Sequence, residues 1–252
     1  MLVDGRNHTD VRSVCPSAND FMGDTRGISM DKSLNQETYN KLKKDILTFA
    51  LKPGESVSAA KLAERYQVSR TPAREALVKL ETEGMVNIFP QSKTVISKIN
   101  VKRVKQEWFL RKTLELGMVD PFFEKVTHQD LELMSMYNNE LVKLMGQPKS
   151  VDNDYDFLTH DNDFHAISYM VAGERLSATL IHRATAHYNR LRMLIDRGEE
   201  FKKRTLADHE ALMDCVRNGR KEEYRKILED HLSHILTDVD RMWERYPDYF
   251  EG

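Results

Sequence analysis

Four side chains of metal-ligating type fall on inward faces of three segments with helical apolar spacing. Asp161 and His165 stand four residues apart, so both project from one face of a helix that Phe164, Ile167 and Val171 bring into a core. His209 lies on the Leu206, Met213, Val216 stripe, and His231 keeps company with Ile227, Leu228 and Ile235. One carboxylate and three imidazoles are donors that a first-row divalent ion prefers. A lone inward histidine is more often a hydrogen-bonded core residue, so each position carries that plainer reading as well. His160 and His234 flank the candidates and are expected to face solvent, and His182 lacks apolar neighbours. His187 has them, in Leu180, Ala184, Leu191 and Leu194, and is a candidate to line the same cavity. Arg111 shares an inward stripe with Val104, Trp108 and Met118, where a guanidinium needs an anionic partner. Glu115, one turn on, could be that partner, and so could the carboxylate of a bound effector.

A second chemistry lies nearer the amino terminus, in Val68-Ser69-Arg70-Thr71-Pro72-Ala73-Arg74-Glu75-Ala76-Leu77. Lys61 to Tyr66 reads as a short helix, and Gln67-Val68 as a tight turn. Ser69 and Thr71 are both good N-cap residues, and Pro72 is tolerated in a first helical turn because its missing N–H would be unpaired there. Ala73, Ala76, Leu77 and Leu80 face a core, which leaves Arg70, Arg74 and Lys79 outward. Gly84 supplies a left-handed stop. Two β-type runs, Met85–Phe89 and Thr94–Ser97, follow around Pro90-Gln91-Ser92-Lys93. Helix, turn, helix and hairpin make a winged helix-turn-helix whose second helix presents arginines to guanine edges and phosphates.

Leu51-Lys52-Pro53-Gly54-Glu55, Leu62-Ala63-Glu64, the Val68–Leu77 run and Leu80-Glu81-Thr82-Glu83-Gly84 resemble the DNA-binding domain of the GntR family of bacterial transcription regulators. In a domain of this kind Arg70 and Arg74 are expected to make base or near-base contacts, and Ser69 and Thr71 to bond phosphates. The wing residues Gln91, Ser92 and Lys93 are expected to reach the minor groove or backbone. Two departures stand out. The family usually has a wing-tip glycine, where this chain reads Gln91-Ser92-Lys93-Thr94. Many members carry a charged residue at the position of Ala59-Ala60, so that phosphate contact is missing or is supplied by Lys61.

Beyond Asn100 helix follows helix. Val101–Val126, Thr127–Gly146, Val151–Ala172, Glu174–Arg197, Phe201–Arg217 and Gly219–Tyr246 are six segments of helical period with no strand signal. The expected fold is therefore mainly α: a winged helix-turn-helix at 33–100 and an all-α bundle at 101–252, after a mobile tail at 1–32. The bundle is similar to the smaller, VanR-like form of the FCD effector domain found in the FadR subfamily. Leu110–Glu115 and the closing Tyr246-Pro247-Asp248-Tyr249-Phe250 add to that likeness. The FCD resemblance implies a divalent metal at Asp161, His165, His209 and His231, zinc first and nickel or manganese as alternatives. It also implies dimerisation and a small organic-acid effector, with Arg111 and His187 as candidate effector residues.

Composition fits such a reading. Hydrophobic residues make up 40% of the 252-residue chain and charged ones 31%, ordinary values for a water-soluble helical protein with room for two cores. Residues 33–100 hold eleven Lys and Arg against seven Asp and Glu, whereas residues 101–252 hold 23 against 28. A basic reader joined to an acidic body suits a duplex DNA partner. The amphipathic first helix, Gln36–Ala50, carries Lys41, Lys43 and Lys44 on what is expected to be a solvated face. Cys15 and Cys215 do not suggest a disulfide framework, and neither a secretory signal nor a membrane-length apolar run is evident. These features fit the cytoplasm. The expected protein is a repressor, a homodimer on a palindromic operator. The rival is a metal-dependent hydrolase using the three-His, one-Asp centre to activate water. It is disfavoured because neither a nucleophile elbow nor a phosphate-binding glycine loop occurs.

Overall fold

The computed structural model describes residues 30–195 and 198–251. The tail expected at 1–32 lies outside the described residues up to position 29. Residues 30–32 are helical, because α1 (Met30–Leu47) begins ahead of the apolar period at Gln36. Met, Lys and Leu are good helix formers, and extending a nucleated helix is easier than starting one.

In the amino-terminal domain, Tyr39, Leu42 and Ile46 of α1 pack with Ala73, Ala76, Leu77 and Leu80 of α3 (Arg70–Thr82). The intervening α2 (Ala59–Tyr66) is capped by Ser58, whose hydroxyl accepts from the Lys61 N–H at 3.2 Å. Gln67 adopts a left-handed φ of 56° to turn the chain into α3. At the far end Gly84 takes φ +78°, a left-handed conformation that calls for glycine, with the movable guanidinium of Arg103 packed against it. The strands β1 (Ser56–Val57), β2 (Val86–Phe89) and β3 (Lys93–Ile96) form an antiparallel sheet in the order β1-β3-β2, with Val86 opposite Ile96 and Phe89 opposite Lys93. Gln91 holds φ +57° at the tip of this wing, where the family's glycine would sit without strain. All three lysines expected on a solvated face of α1 form ion pairs, though Lys41, bonded to Glu37 of its own helix at 2.7 Å, stays exposed. Lys43 bonds Glu83 at 2.9 Å, and Lys44 bonds Asp152 of the second domain at 2.7 Å.

A two-residue strand, β4 (Ile99–Asn100), leads into the helical body. Eight helices follow among the described residues: α4 (Val101–Lys125), α5 (His128–Met145), α6 (Val151–Ala172), α7 (Arg175–Ala184), α8 (Ala186–Ile195), α9 (Glu199–Arg217), α10 (Lys221–Thr237) and α11 (Val239–Arg245). The expected six become eight because two segments break. At Thr185 the hydroxyl donates back to the Ile181 carbonyl at 2.8 Å, and φ and ψ move to −111° and 35°. Glu107 of α4 then receives the Tyr188 N–H at 2.8 Å, seating a carboxylate on the start of a new helix. The second break falls at Asp238, which ends α10 and starts α11.

The strand-free expectation for this domain also needs correction. Phe250–Glu251 forms β5, parallel to β4 with Ile99 opposite Phe250. A two-residue pairing across the length of the domain leaves no alternating pattern to read. Tyr249 stacks on Phe49 at 5.2 Å, so the closing segment touches both domains. One buried cluster accordingly runs from Tyr39 and Ile46 through Ile96, Ile99 and Val104 to Tyr188 and Leu191. A second core, including Phe122, Met134, Phe164, Leu212 and Leu228, fills the bundle around the candidate metal ligands. Among the described residues no helix is long and apolar enough to cross a membrane.

Candidate metal centre and nucleic-acid interface

Helices α6, α9 and α10 bring Asp161, His165, His209 and His231 together, and one donor atom from each lies within 4.8 Å of all the others. His209 Nε2 is 3.5 Å from Asp161 Oδ1, and His165 Nε2 is 3.1 Å from His231 Nε2. Carboxylates behind two of the rings fix which nitrogen faces inward. His165 Nδ1 donates to Glu115 Oε2 at 2.7 Å, and His231 Nδ1 donates to Asp208 Oδ2 at 3.0 Å. Each imidazole thus turns an Nε2 lone pair toward the centre, the arrangement that carboxylates impose on metal-bound histidines.

His209 is completely buried and lies flat on Phe164, with ring centroids 3.8 Å apart. Neither of its ring nitrogens, nor Asp161 Oδ1, has a hydrogen-bond partner among the described residues. Bare polar atoms in a core cost about 1–3 kcal/mol each, so their convergence calls for a ligand. A divalent ion with nitrogen donors at about 2.0–2.1 Å spaces neighbouring donors by about 3 Å, close to what is seen here. The residues fit a metal.

Electrostatics favour the same conclusion. Burial raises the Asp161 carboxyl, but the guanidinium charges of Arg192 and Arg111 work against it and the group stays well below the usual carboxylate range. Burial pushes His209 well below the ordinary imidazole value and lowers His165 as well, which leaves both rings neutral and able to ligate. Arg192 Nη2 donates to Asp161 Oδ2 at 2.8 Å. Arg111 Nε donates to Glu115 Oε1 at 2.5 Å, so of its two expected partners the protein itself supplies one. Burial works against the Glu115 charge, yet Arg111 and His165 carry its pKa down to about 2.

A cavity adjoins the centre through His165. Arg111, Glu115, Tyr169, His182 and Asn189 also line it. His182, discounted for want of apolar neighbours, is therefore a wall residue. His187 is not. Its Nδ1 accepts the Asn100 N–H at 3.1 Å and the ring bonds the backbone of Gly84, so it sits at the junction of the domains. The break at Thr185 changes the helical phase between the two histidines and exchanges their places. His160 and His234 also depart from the expected solvent positions: each is half-buried, with His160 tilted against Tyr137 and His234 Nδ1 3.5 Å from Asp208. Arg192, Asp208 and the double role of Glu115 are additions to the sequence reading. Arg192 had the same signal as Arg111, an arginine within an apolar run.

In the other domain, Ser69, Arg70, Thr71, Arg74 and Lys61 are all exposed, as are Gln91, Ser92 and Lys93 on the wing. Arg70 and Arg74 make no ion pair among the described residues and share an open face of α3 with Thr71, Glu75 and Val78. Ser69 occupies the N-cap position without a side-chain cap bond, which leaves its hydroxyl available.

Comparison with known proteins matches both halves. Residues 34–96 match the model for bacterial regulatory proteins of the gntR family, and residues 108–234 match that for the FCD domain. An HTH-type transcriptional regulator in an unstable DNA locus of Streptomyces ambofaciens is 30% identical, covering 85% of this chain and 89% of the relative. The HTH-type transcriptional repressor RspR of Escherichia coli is 24% identical over 86% of this chain and 93% of its own length. Among solved structures, E. coli McbR/YncC superposes with a TM-score of 0.68 at 20% identity, covering 84% of this chain and 98% of that one. These relatives are transcription regulators, not enzymes, which sets the hydrolase reading aside. The chain belongs to the GntR family of bacterial transcription regulators, in the form that couples a winged helix-turn-helix to a C-terminal FCD domain.

Proposed function

We propose that this regulator is a cytoplasmic, homodimeric repressor that binds a palindromic operator and is controlled by a small organic acid held beside a divalent metal. The observation that carries the proposal is the convergence of His209, Asp161 and two carboxylate-held imidazoles on one buried point. Zinc suits the nitrogen-rich donor set, with nickel or manganese as alternatives. When bound, the metal supplies an open coordination position for a carboxylate. Arg111 stands at the cavity edge to bind the same acid, and Glu115 holds its guanidinium in place.

Arg70 and Arg74 are the proposed base readers, with Ser69, Thr71 and Lys61 on phosphates and Gln91, Ser92 and Lys93 on the adjoining groove or backbone. A second copy covers an exposed apolar face of the helical body. Phe109 and Leu110 of α4 are 61% and 36% exposed, and Leu176 and Leu180 of α7 are 70% and 51% exposed. Beneath this face, Leu114 of α4 and Ala178 and Ile181 of α7 pack against one buried cluster of Met118, Tyr169 and Ala172. Acid binding changes DNA affinity to the extent that it favours one domain arrangement over another. A gel shift on the gene's own upstream DNA, with and without candidate acids, tests the proposal. Specific retardation relieved by an acid supports it, and retardation indifferent to every acid contradicts the sensing role.

A further inference from the structure

Besides the candidate metal ligands, the cavity wall carries two polar atoms without partners. The Tyr169 hydroxyl and Asn189 Oδ1 are both buried and make no hydrogen bond among the described residues. Tyr169 is 2% exposed, and both residues line the cavity that reaches His165 and Arg111. The Asn189 amide cannot simply be turned over. Thr185 Oγ1 donates its proton to the Ile181 carbonyl at 2.8 Å, so toward Asn189 it can act only as an acceptor. Asn189 Nδ2 fills that role at 3.2 Å, which fixes Oδ1 as a bare acceptor.

A ligand that satisfies both atoms must donate to Asn189 and accept from Tyr169, and a neutral hydroxyl does both. A carboxylate could accept from Tyr169 but would set lone pairs against Asn189 Oδ1. An ammonium could donate to Asn189 but has no lone pair to accept from the Tyr169 hydroxyl, whose proton would stay unpaired. Part of the same wall is apolar, through Ala166, Ala178 and Ile181.

Resting on the reading of this cavity as the effector site, we infer that the effector is a hydroxylated monocarboxylate, its acid group beside Arg111 and His165 and its hydroxyl groups received by Tyr169 and Asn189. The inference excludes plain alkanoates, dicarboxylates and amino acids as the preferred class. A polar site built for a hydroxyl discriminates strongly against an analogue that lacks one, because its own buried groups are then left unpaired.

Isothermal titration of the zinc-loaded full chain tests this with matched probes. L-Threonate is compared with butyrate and succinate, and D-gluconate with hexanoate and adipate, each at equal chain length. At least one hydroxy acid is expected to bind about tenfold or more tighter than both of its matched partners. Tyr169→Phe, which keeps the ring and its packing, should remove most of that preference while leaving acetate binding unchanged. Asn189→Leu should do the same. Equal binding within both sets, tighter binding of a dicarboxylate, or a Tyr169→Phe protein that keeps the full preference overturns the hydroxyl assignment and leaves the acid site standing. Failure of all the acids to bind, acetate included, overturns the acid site itself and the assignment with it.

Discussion

His165 and His231 point their Nε2 atoms at each other across 3.1 Å, while each donates its other ring nitrogen to a carboxylate. Two lone pairs so placed repel unless a positive charge lies near them. A shared proton would serve one pair of rings. An ion serves these two and also the bare Nε2 of His209 and the bare oxygen of Asp161. That economy is why the cluster reads as a metal centre rather than a buried hydrogen-bond network.

The carboxylates behind the rings should matter nearly as much as the ligands. Glu115→Gln and Asp208→Asn each keep the shape and remove the charge that orients one imidazole. Each is expected to weaken metal affinity by roughly 10–100-fold. Competition titration against a chelator of known affinity reads this directly. Wild-type affinity in both variants would show that the rings are oriented by packing alone.

Arg70 should carry operator recognition without touching the sensor. Arg70→Ala is expected to lose about 1–3 kcal/mol of operator binding, with the metal content unchanged. Fluorescence anisotropy on the specific duplex and on a scrambled one separates base reading from phosphate attraction. If the loss is equal on both, Arg70 is a phosphate contact.

The exposed face of α4 and α7 should hold the second copy. Phe109→Glu places a charge on the α4 part of that face, where Phe109 is 61% exposed and outside the monomer's core. Sedimentation should show dissociation to monomers, with operator binding falling in parallel. A Phe109→Glu protein that stays dimeric places the dimer elsewhere.

The junction histidine makes stability depend on pH. Burial first, and then Arg190 and Arg103, push the His187 imidazole down to about 3. Between that value and about 6.5 the unfolded chain binds a proton that the folded chain does not, so stability rises with pH. The contribution falls away as pH drops below about 6.5, by at most about 1.4 kcal/mol per pH unit for this one group. Protonated His187 also cannot accept the Asn100 N–H. His187→Asn offers an acceptor without titrating, so the difference between urea midpoints near pH 5 and pH 7 should narrow. An unchanged difference would place the pH dependence on other groups.

Much of this was legible in the chain because local chemistry and fold agree. Pro72 in a first turn, Gly84 after a helix and the outward pair Arg70 and Arg74 need no tertiary knowledge to interpret. Helical register likewise placed Asp161, His165, His209 and His231 inward. What escaped depends on contacts between distant segments. Asp208 reaches His231 only through the packing of α9 on α10, and Glu115 reaches His165 only through that of α4 on α6. His182 and His187 were misplaced for one reason. A continuous helix over 174–197 gives them one relative phase, and the break at Thr185 gives them another.

Metal content of the purified protein tests the central claim most directly, measured for the wild type and for His209→Ala after stripping and reloading with zinc. The account predicts one tightly held ion per wild-type chain and a large loss in His209→Ala, with the winged domain still folded by circular dichroism. A wild type that retains no ion, or a His209→Ala protein that holds it equally well, would contradict the account.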